Sequence, residues 1–188
     1  MSARLADMRD DDPEAKLHHR WVPYERISRN LKRAVMASED AKFLQHEGFD
    51  WEGMQTAWEK NLKKGRIVAG GSTISQQLAK NLMLSGERTL VRKGQEFVLT
   101  LALEVLLPKQ RILEIYLNHV EWGEGVFGAE AAARHYFKKP AAQLSAWEAA
   151  RLAVMLPRPR YFEKRPQSTY LAERTQTIVN RMNDVVAP

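Results

Sequence analysis

From about residue 21 onward, apolar residues recur at the three- and four-residue spacing of an α-helix, and the alternation that marks a β-strand is almost absent. Leu31, Val35 and Glu39 share one face of a first helix, which ends before Gly48. The further segments with helical spacing cover residues 51–64, 73–81, 92–107, 110–119, 129–137, 145–157 and 169–182. The pattern therefore predicts an all-α protein.

Residues 1–20 are polar and acidic and predict a flexible leader, whereas residues 21–188 predict one folded domain, a size that can bury a core. The first residues lack the apolar centre of a signal peptide, and no stretch approaches the roughly 18 apolar residues of a membrane span. If the protein works outside the cytoplasm, we expect its targeting segment or membrane anchor to be missing from this chain.

The net charge and the motifs that the sequence lacks limit the classes of reaction and partner that suit this chain. The 29 Lys and Arg against 23 Asp and Glu leave a formal charge of +6, which favours an anionic partner: nucleic acid, a membrane surface or a phosphorylated substrate. The chain has no cysteine, so disulfides, thiolate metal sites and thiol nucleophiles are excluded. It contains no HExxH, GxxxxGK, GxSxG or SxxK sequence, and the last absence excludes the usual acyl-transfer nucleophile of penicillin-binding proteins.

Glu39 continues the apolar stripe of the first helix and is a candidate general base. A carboxylate on that face loses hydration, which raises its pKa and suits it to accept a proton near neutral pH. The alternative is a partly exposed glutamate at a helix end, paired with Lys42 or Arg33.

Two further segments group polar residues on a helix face. Thr73 and Gln76 form a predicted capping box, and the helix that follows turns Gln77, Lys80 and Asn81 to its polar side. This face is either ordinary solvated surface or a site that recognises sugar hydroxyls and phosphate.

The second segment holds Arg92, Lys93 and Glu96, with Arg88 just upstream. Arg92 and Glu96 lie one helical turn apart and share a face, which indicates either a surface ion pair of little energetic value or a cationic site for an anion.

Five segments, taken in order, resemble the motifs of the peptidoglycan glycosyltransferases. Residues 39–50 resemble ED-x-x-F-x-x-H-x-G, and residues 92–96 resemble RK-x-x-E. The other three segments that resemble family motifs are 71–81, 109–118 and 151–157. Together they span residues 39–157, and with neither SxxK nor room for a second domain the chain resembles the monofunctional members of this family.

The resemblance implies a lysozyme-like, all-helical fold with a larger globular lobe and a small membrane-facing lobe. It implies polymerisation of lipid II, an undecaprenyl-diphosphate-linked disaccharide pentapeptide, into β-1,4-linked glycan strands by inverting transfer. The implied partners are lipid II, the growing glycan strand, the membrane surface and penicillin-binding or divisome proteins, but no nucleic acid. The implied location is the periplasmic face of the bacterial inner membrane.

By position in these motifs, Glu39 corresponds to the family's general base, and Glu96 to a second carboxylate that assists the diphosphate. The resemblance also implies a divalent cation, Mg or Mn, at Glu96 and no organic cofactor. The residues that it implies for substrate binding are Asp40, Phe43, His46, Ser72, Thr73, Gln76, Gln77, Lys80, Asn81, Arg88, Arg92, Lys93, Glu114 and Asn118.

Two other classes stay open at this point. A lysozyme-like peptidoglycan hydrolase would use carboxylates on the same fold but would not need this collection of cations. A nucleic-acid-binding helical module would explain the charge but not Gln76 and Gln77. For membrane contact, we expect the segment between the first two motifs and residues Leu82, Met83 and Leu84 to touch the bilayer; packing inside the small lobe is the alternative.

Overall fold

A computed structural model of the chain describes residues 8–10, 14, 16–66, 70–82 and 90–188. Three residues with a predicted role, Arg88, Met83 and Leu84, lie outside the described part. Residues 8–10 are helical, and the further α-helices of the described part are α1 (Arg29–Glu39), α2 (Trp51–Lys64), α3 (Ile74–Leu82), α4 (Leu90–Leu106), α5 (Lys109–His119), α6 (Ala129–Phe137), α7 (Ala146–Met155), α8 (Pro159–Glu163) and α9 (Thr169–Arg181). The predicted all-α class is confirmed.

The core forms around α1 and α5. Ser28 caps α1 by accepting a hydrogen bond from the Leu31 backbone N–H at 3.0 Å, and the apolar face of α1 packs against α7 and α9. Helix α5 places Leu113 and Leu117 at the centre, where both are fully buried. This packing sets the C-terminal end of α1, with Glu39, beside the helices that carry the other predicted motifs.

The predicted capping box at Thr73 is present, and the spacing of Ser145 and Glu148 predicts a second one that is also present. Thr73 Oγ1 accepts from the Gln76 backbone N–H at 3.2 Å, while Gln76 Oε1 accepts from the Thr73 N–H at 3.0 Å. Ser145 and Glu148 make the same reciprocal pair at the start of α7. Each box is an interaction across three residues, so the local sequence is enough to predict it.

A small sheet corrects the predicted leader. Its strands are β1 (His18–His19), β2 (Glu121–Gly123) and β3 (Val126–Phe127), with β1 parallel and β2 antiparallel to β3. His19 Nε2 also donates to the Asn118 carbonyl at 3.0 Å. The prediction that all of residues 1–20 are a flexible leader is therefore wrong for the segment around the two histidines, which the domain holds by backbone pairing.

Candidate active site

Glu39 ends α1 as a half-buried carboxylate with two hydrogen bonds. Its Oε2 accepts from Gln77 Nε2 at 3.0 Å, and its Oε1 accepts from Ser38 Oγ at 3.3 Å. Burial raises the pKa of Glu39, the two hydrogen bonds oppose that rise, and the net direction is upward. Glu39 is therefore held in one orientation with an increased affinity for a proton.

The alternative partners predicted for Glu39 bind elsewhere. Lys42 pairs with Glu52 at 2.7 Å, and the Arg33 guanidinium donates to the backbone carbonyls of Val185 and Asn183 at 2.8 and 2.6 Å. The interpretation of Glu39 as an ordinary surface glutamate paired with these cations is therefore wrong.

A tyrosine that the sequence analysis did not select orients Gln77. The Tyr116 hydroxyl, on α5, donates to Gln77 Oε1 at 2.8 Å. Burial raises the pKa of Tyr116 well above its ordinary value, so the hydroxyl stays protonated and remains a donor. Because Gln77 Oε1 is the acceptor, its amide nitrogen must face Glu39, and a chain of hydrogen bonds connects the core to the candidate base.

Asp40 and His46 connect the end of α1 to the start of α3. The buried Asp40 carboxylate accepts from the Ile74 backbone N–H at 3.0 Å and contacts His46 Nε2 at 3.0 and 3.1 Å. The Gly48 N–H donates to His46 Nδ1 at 3.1 Å, so Nε2 carries the hydrogen that points to Asp40. Both residues, predicted to bind substrate, support the loop next to Glu39.

Two features of the structure require glycine at position 48, in the loop after α1. Its φ of +92° lies in the left-handed region, and a Cβ at this position would lie 2.8 Å from Thr100 Cγ2 of α4. Its carbonyl accepts from Thr73 Oγ1 at 2.6 Å, which ties the loop to the cap of α3. Glycine is therefore required for the loop to pack between α3 and α4.

Lys109 is a second residue that the sequence analysis did not select. Its ammonium lies 2.8 Å from the Glu104 carboxylate, donates to the His46 carbonyl at 2.6 Å and sits 4.6 Å from the centre of the Phe43 ring. Ser75 at the start of α3 also donates to Glu104. The Lys109–Glu104 pair therefore connects the loop that contains His46 to α3 and α4.

Other predicted binding residues are also structural. Phe43 and Asn118 are fully buried, and the Asn118 side chain makes two hydrogen bonds with the backbone of Val22, at 2.9 and 3.0 Å. Glu114 is buried and pairs with Arg111 at 2.7 Å. These three side chains stabilise the wall behind the site, and their role in substrate binding stays a prediction.

The predicted binding residues that stay accessible to solvent lie on α3, just before it and on α4. Ser72, Lys80 and Asn81 are exposed, and Gln76 is partly buried within its capping box. On α4, Glu96 lies between Arg92 and Lys93, with separations of 3.3 and 3.2 Å. The cations of two predicted motifs thus lie on two helices that pack against each other.

The surroundings of Glu96 do not fit a divalent cation. Its oxygens contact two cationic side chains, which compete with a metal for the carboxylate. Over the described ranges, no group of three or more His, Cys, Asp or Glu side chains is placed to hold a metal ion.

Together, a desolvated carboxylate, the amide that orients it and neighbouring helices with exposed amides and cations are typical of the class of enzymes whose site suits acid–base chemistry on a polar, anionic substrate. The family model described as transglycosylase matches residues 7–183. A biosynthetic peptidoglycan transglycosylase of Laribacter hongkongensis is 61% identical over 188 residues, which are 100% of this chain and 82% of the relative. A protein of the same name from Dechloromonas aromatica is 60% identical over 182 residues, 97% of this chain and 79% of the relative. The chain belongs to the transglycosylase family.

Proposed function

We propose that this protein polymerises lipid II into β-1,4-linked glycan strands with release of undecaprenyl diphosphate, and that Glu39 is the base. The observation that carries the proposal is the half-buried Glu39 carboxylate, held by Gln77 and Ser38 with a raised pKa. The relatives are named as biosynthetic transglycosylases, which favours synthesis over the hydrolase alternative. The enzyme acts in the cell envelope.

In the proposed reaction, a Glu39 oxygen takes the proton of the acceptor sugar's 4-hydroxyl as that oxygen attacks the anomeric carbon of the donor. The bond from the anomeric carbon to the diphosphate breaks, and the electron pair leaves with the diphosphate. Attack from the opposite face inverts the configuration. Gln77 holds the carboxylate in place, so the base does not have to find its orientation during the reaction.

The departing diphosphate is proposed to lie along the exposed cations of α3 and α4. Lys80 is exposed, Lys93 is exposed and Arg92 lies beside Glu96. Each charge-assisted contact with phosphate contributes about 1.5–3 kcal/mol, so several together stabilise a leaving group of high charge. Glu96 is proposed to orient the two cations of its own helix, and no step of this mechanism passes through a metal ion.

Labelled lipid II tests the proposed function. Incubation with the protein is expected to give long glycan strands and free undecaprenyl diphosphate, resolved by gel electrophoresis and chromatography. Small muropeptides formed from preassembled glycan would instead establish a hydrolase, and unchanged lipid II would contradict the proposal.

We also propose that the lobe built on α2 and α4 rests on the membrane. Phe49 stacks on Trp51 of α2 at 5.4 Å and lies 4.8 Å from Phe97 of α4, so Phe49 connects the apolar residues of the two helices, here called the apolar lobe surface. The exposed members of this apolar lobe surface are Trp51, Trp58, Leu62, Phe97, Val98, Leu101 and Val105. Leu82 is also exposed, at 39%. A large exposed apolar patch marks an interaction surface. The polyprenyl tail of the proposed substrate lies in a bilayer, so the bilayer is the surface that this patch would contact.

Basic residues at the end of α2 support the same orientation. Lys60, Lys63 and Lys64 are exposed beside the apolar lobe surface, and each basic residue near an anionic bilayer contributes about 1 kcal/mol. In the described part of the chain, no helix is both long and apolar enough to cross a membrane. We propose the periplasmic face of the inner membrane as the location; contact with penicillin-binding or divisome proteins stays a prediction.

Replacing Trp58 and Leu62 with serine is expected to weaken binding to anionic vesicles about 100-fold or more, because each of the two side chains contributes about 1.5–3 kcal/mol when an apolar phase buries it and about 1.4 kcal/mol is a tenfold change. Sedimentation with vesicles of rising anionic-lipid content measures the effect, and added salt should lower binding further. Trp147→Ser, which removes an equally large exposed side chain from α7, is the control. Equal vesicle binding by the double variant and wild type would contradict this orientation.

The pH dependence of the rate should report the environment of Glu39. Because burial raises the pKa of this carboxyl, it takes up a proton above the range of an ordinary glutamate, and the rate should fall as the pH drops through that pKa. The charge of Arg174 on α9 lowers the pKa, whereas Asp40 raises it. Arg174→Gln is therefore expected to move the acid limb of kcat to higher pH, and Arg174→Lys to restore it. An acid limb that is unchanged in Arg174→Gln would exclude this electrostatic role.

A further inference from the structure

An open cavity of about 400 Å³ lies where the end of α7, helix α8 and the start of α9 meet. Its lining residues are Val154, Pro157, Arg158, Tyr161, Phe162, Ser168 and Tyr170. The volume is within the range of cavities that bind small ligands. Val154 and Pro157 belong to the segment 151–157 that resembles the fifth family motif, whereas the proposed chemistry uses none of the lining residues.

Aromatic side chains make one rigid wall. Phe162 is buried and stacks parallel to Tyr170, with 6.0 Å between ring centres and 6° between planes, and the Tyr161 ring meets Phe162 edge-on at 5.2 Å. Tyr161 and Tyr170 are exposed at 44% and 58%. The wall thus offers apolar faces and two hydroxyls to a ligand.

The rest of the lining is cationic. Arg158 lines the cavity, the Arg165 guanidinium lies 4.2 Å from the centre of the Tyr161 ring, and Lys164 lines an adjoining cavity that shares Ser168. In the described part of the chain, neither Arg158 nor Lys164 pairs with a carboxylate. Glu163, the acidic residue of α8, instead pairs with His135 at 3.2 Å. The cavity therefore has an excess of positive charge.

The register of α9 against α1 places the start of α9, which lines this cavity, toward the end of α1 that carries Glu39. Arg33, in the first half of α1, contacts the Asn183 carbonyl beyond the end of α9, whereas Arg174, in the first half of α9, acts electrostatically on Glu39 at the end of α1. The two helices therefore run antiparallel. Tyr170 is one helical turn, about 5.4 Å along the axis, from Arg174 and lies beyond the end of α1.

We propose that this cavity binds the carboxylate-bearing peptide attached to the substrate's sugar, an inference that rests on the proposed function. The substrate carries two kinds of anion, and the cations proposed for its diphosphate lie on α3 and α4. The cavity's own cations lie on other elements, and a guanidinium matches the geometry of a carboxylate. The aliphatic part of the peptide packs against the aromatic wall.

Isothermal titration calorimetry tests this inference with two soluble ligands. One is the pentapeptide with free carboxylates, and the other is the same peptide with every carboxylate amidated. We expect the free form to bind and the amidated form not to bind. Arg158→Gln and Arg165→Gln should each weaken binding about tenfold, as expected for loss of a charge-assisted contact. Arg160→Gln is the matched control, because Arg160 is on α8 but pairs with Glu121 at 3.3 Å. Equal binding of both peptides, or equal affinity of wild type and the two cavity variants, would overturn the inference.

A kinetic measurement separates this inference from the proposed function. In the cavity variants we expect KM to rise about tenfold for lipid II and to stay at the wild-type value for an analogue without the peptide. If the wild type polymerises lipid II and the cavity variants have unchanged KM for it, only the peptide site is wrong. If the wild type fails to polymerise lipid II, the proposed function is wrong, and peptide titration still decides what the cavity binds.

Discussion

Glu39→Gln is expected to lower the rate of lipid II polymerisation by about 10²–10⁴, the range typical for loss of a general base. Glutamine keeps the volume of the side chain and an oxygen that can accept from Gln77 Nε2, so the geometry of the site should survive. It cannot take the proton of the acceptor hydroxyl at any pH used for the assay. The measurement is the single-turnover and steady-state rate with labelled lipid II.

Stability provides an independent readout for the same variant. Burial raises the pKa of Glu39 in the folded protein, so above that pKa the ionised carboxylate destabilises the fold relative to a neutral side chain. At neutral pH the melting temperature of Glu39→Gln should therefore equal or exceed that of the wild type. Glu52→Gln, which changes an exposed carboxylate on α2, is the control and should keep its activity. Near-normal turnover by Glu39→Gln would remove this residue from the mechanism.

Lys109→Met is expected to destabilise the protein by about 3 kcal/mol, at the low end of the cost of breaking a buried ion pair, because Lys109 is 21% exposed and its partner Glu104 only 7%. The variant leaves the Glu104 carboxylate with a hydrogen bond from Ser75 and removes the donor to the His46 carbonyl. For a domain of this size the melting temperature should fall by about 6–12 °C. Calorimetry at neutral pH measures it.

A second variant shows whether the loss comes from the stranded charge. Glu104→Gln combined with Lys109→Met removes both charges and should recover most of the lost stability, because no unpaired ion stays buried. Lys42→Met, which breaks an exposed pair with Glu52, should change the melting temperature little. A double variant as unstable as Lys109→Met alone would mean that packing, and not charge, is what Lys109 contributes.

The helices and their caps could be predicted because they depend on neighbours in the sequence. The spacing of Leu31 and Val35 defines the buried face of α1. Thr73 and Gln76 are only three positions apart, so the capping box that they form depends on local sequence alone. The order of the motifs was likewise enough to select Glu39 as a candidate base. The comparisons then confirmed the family to which those motifs point.

The support for the base could not be predicted in this way. Tyr116 reaches Gln77 across 39 positions and Gln77 reaches Glu39 across 38, and no local pattern reports such contacts. The same limit explains the strand formed by His18–His19, whose partner Val126–Phe127 is distant in sequence. Asp40 and Asn118 have side chains that suit a binding site, yet the fold surrounds them with backbone donors and acceptors.

By itself, the sequence determined the helical class, the capped ends of α3 and α7 and the set of residues that could perform acid–base chemistry on an anionic substrate. The tertiary structure alone decided which of those residues are desolvated and oriented at the candidate site and which are enclosed in the fold. The reason is that an ionisable group takes its properties from desolvation and from nearby charges and hydrogen bonds. Those surroundings exist at Glu39 only because α1, α3, α5 and α9 meet around it.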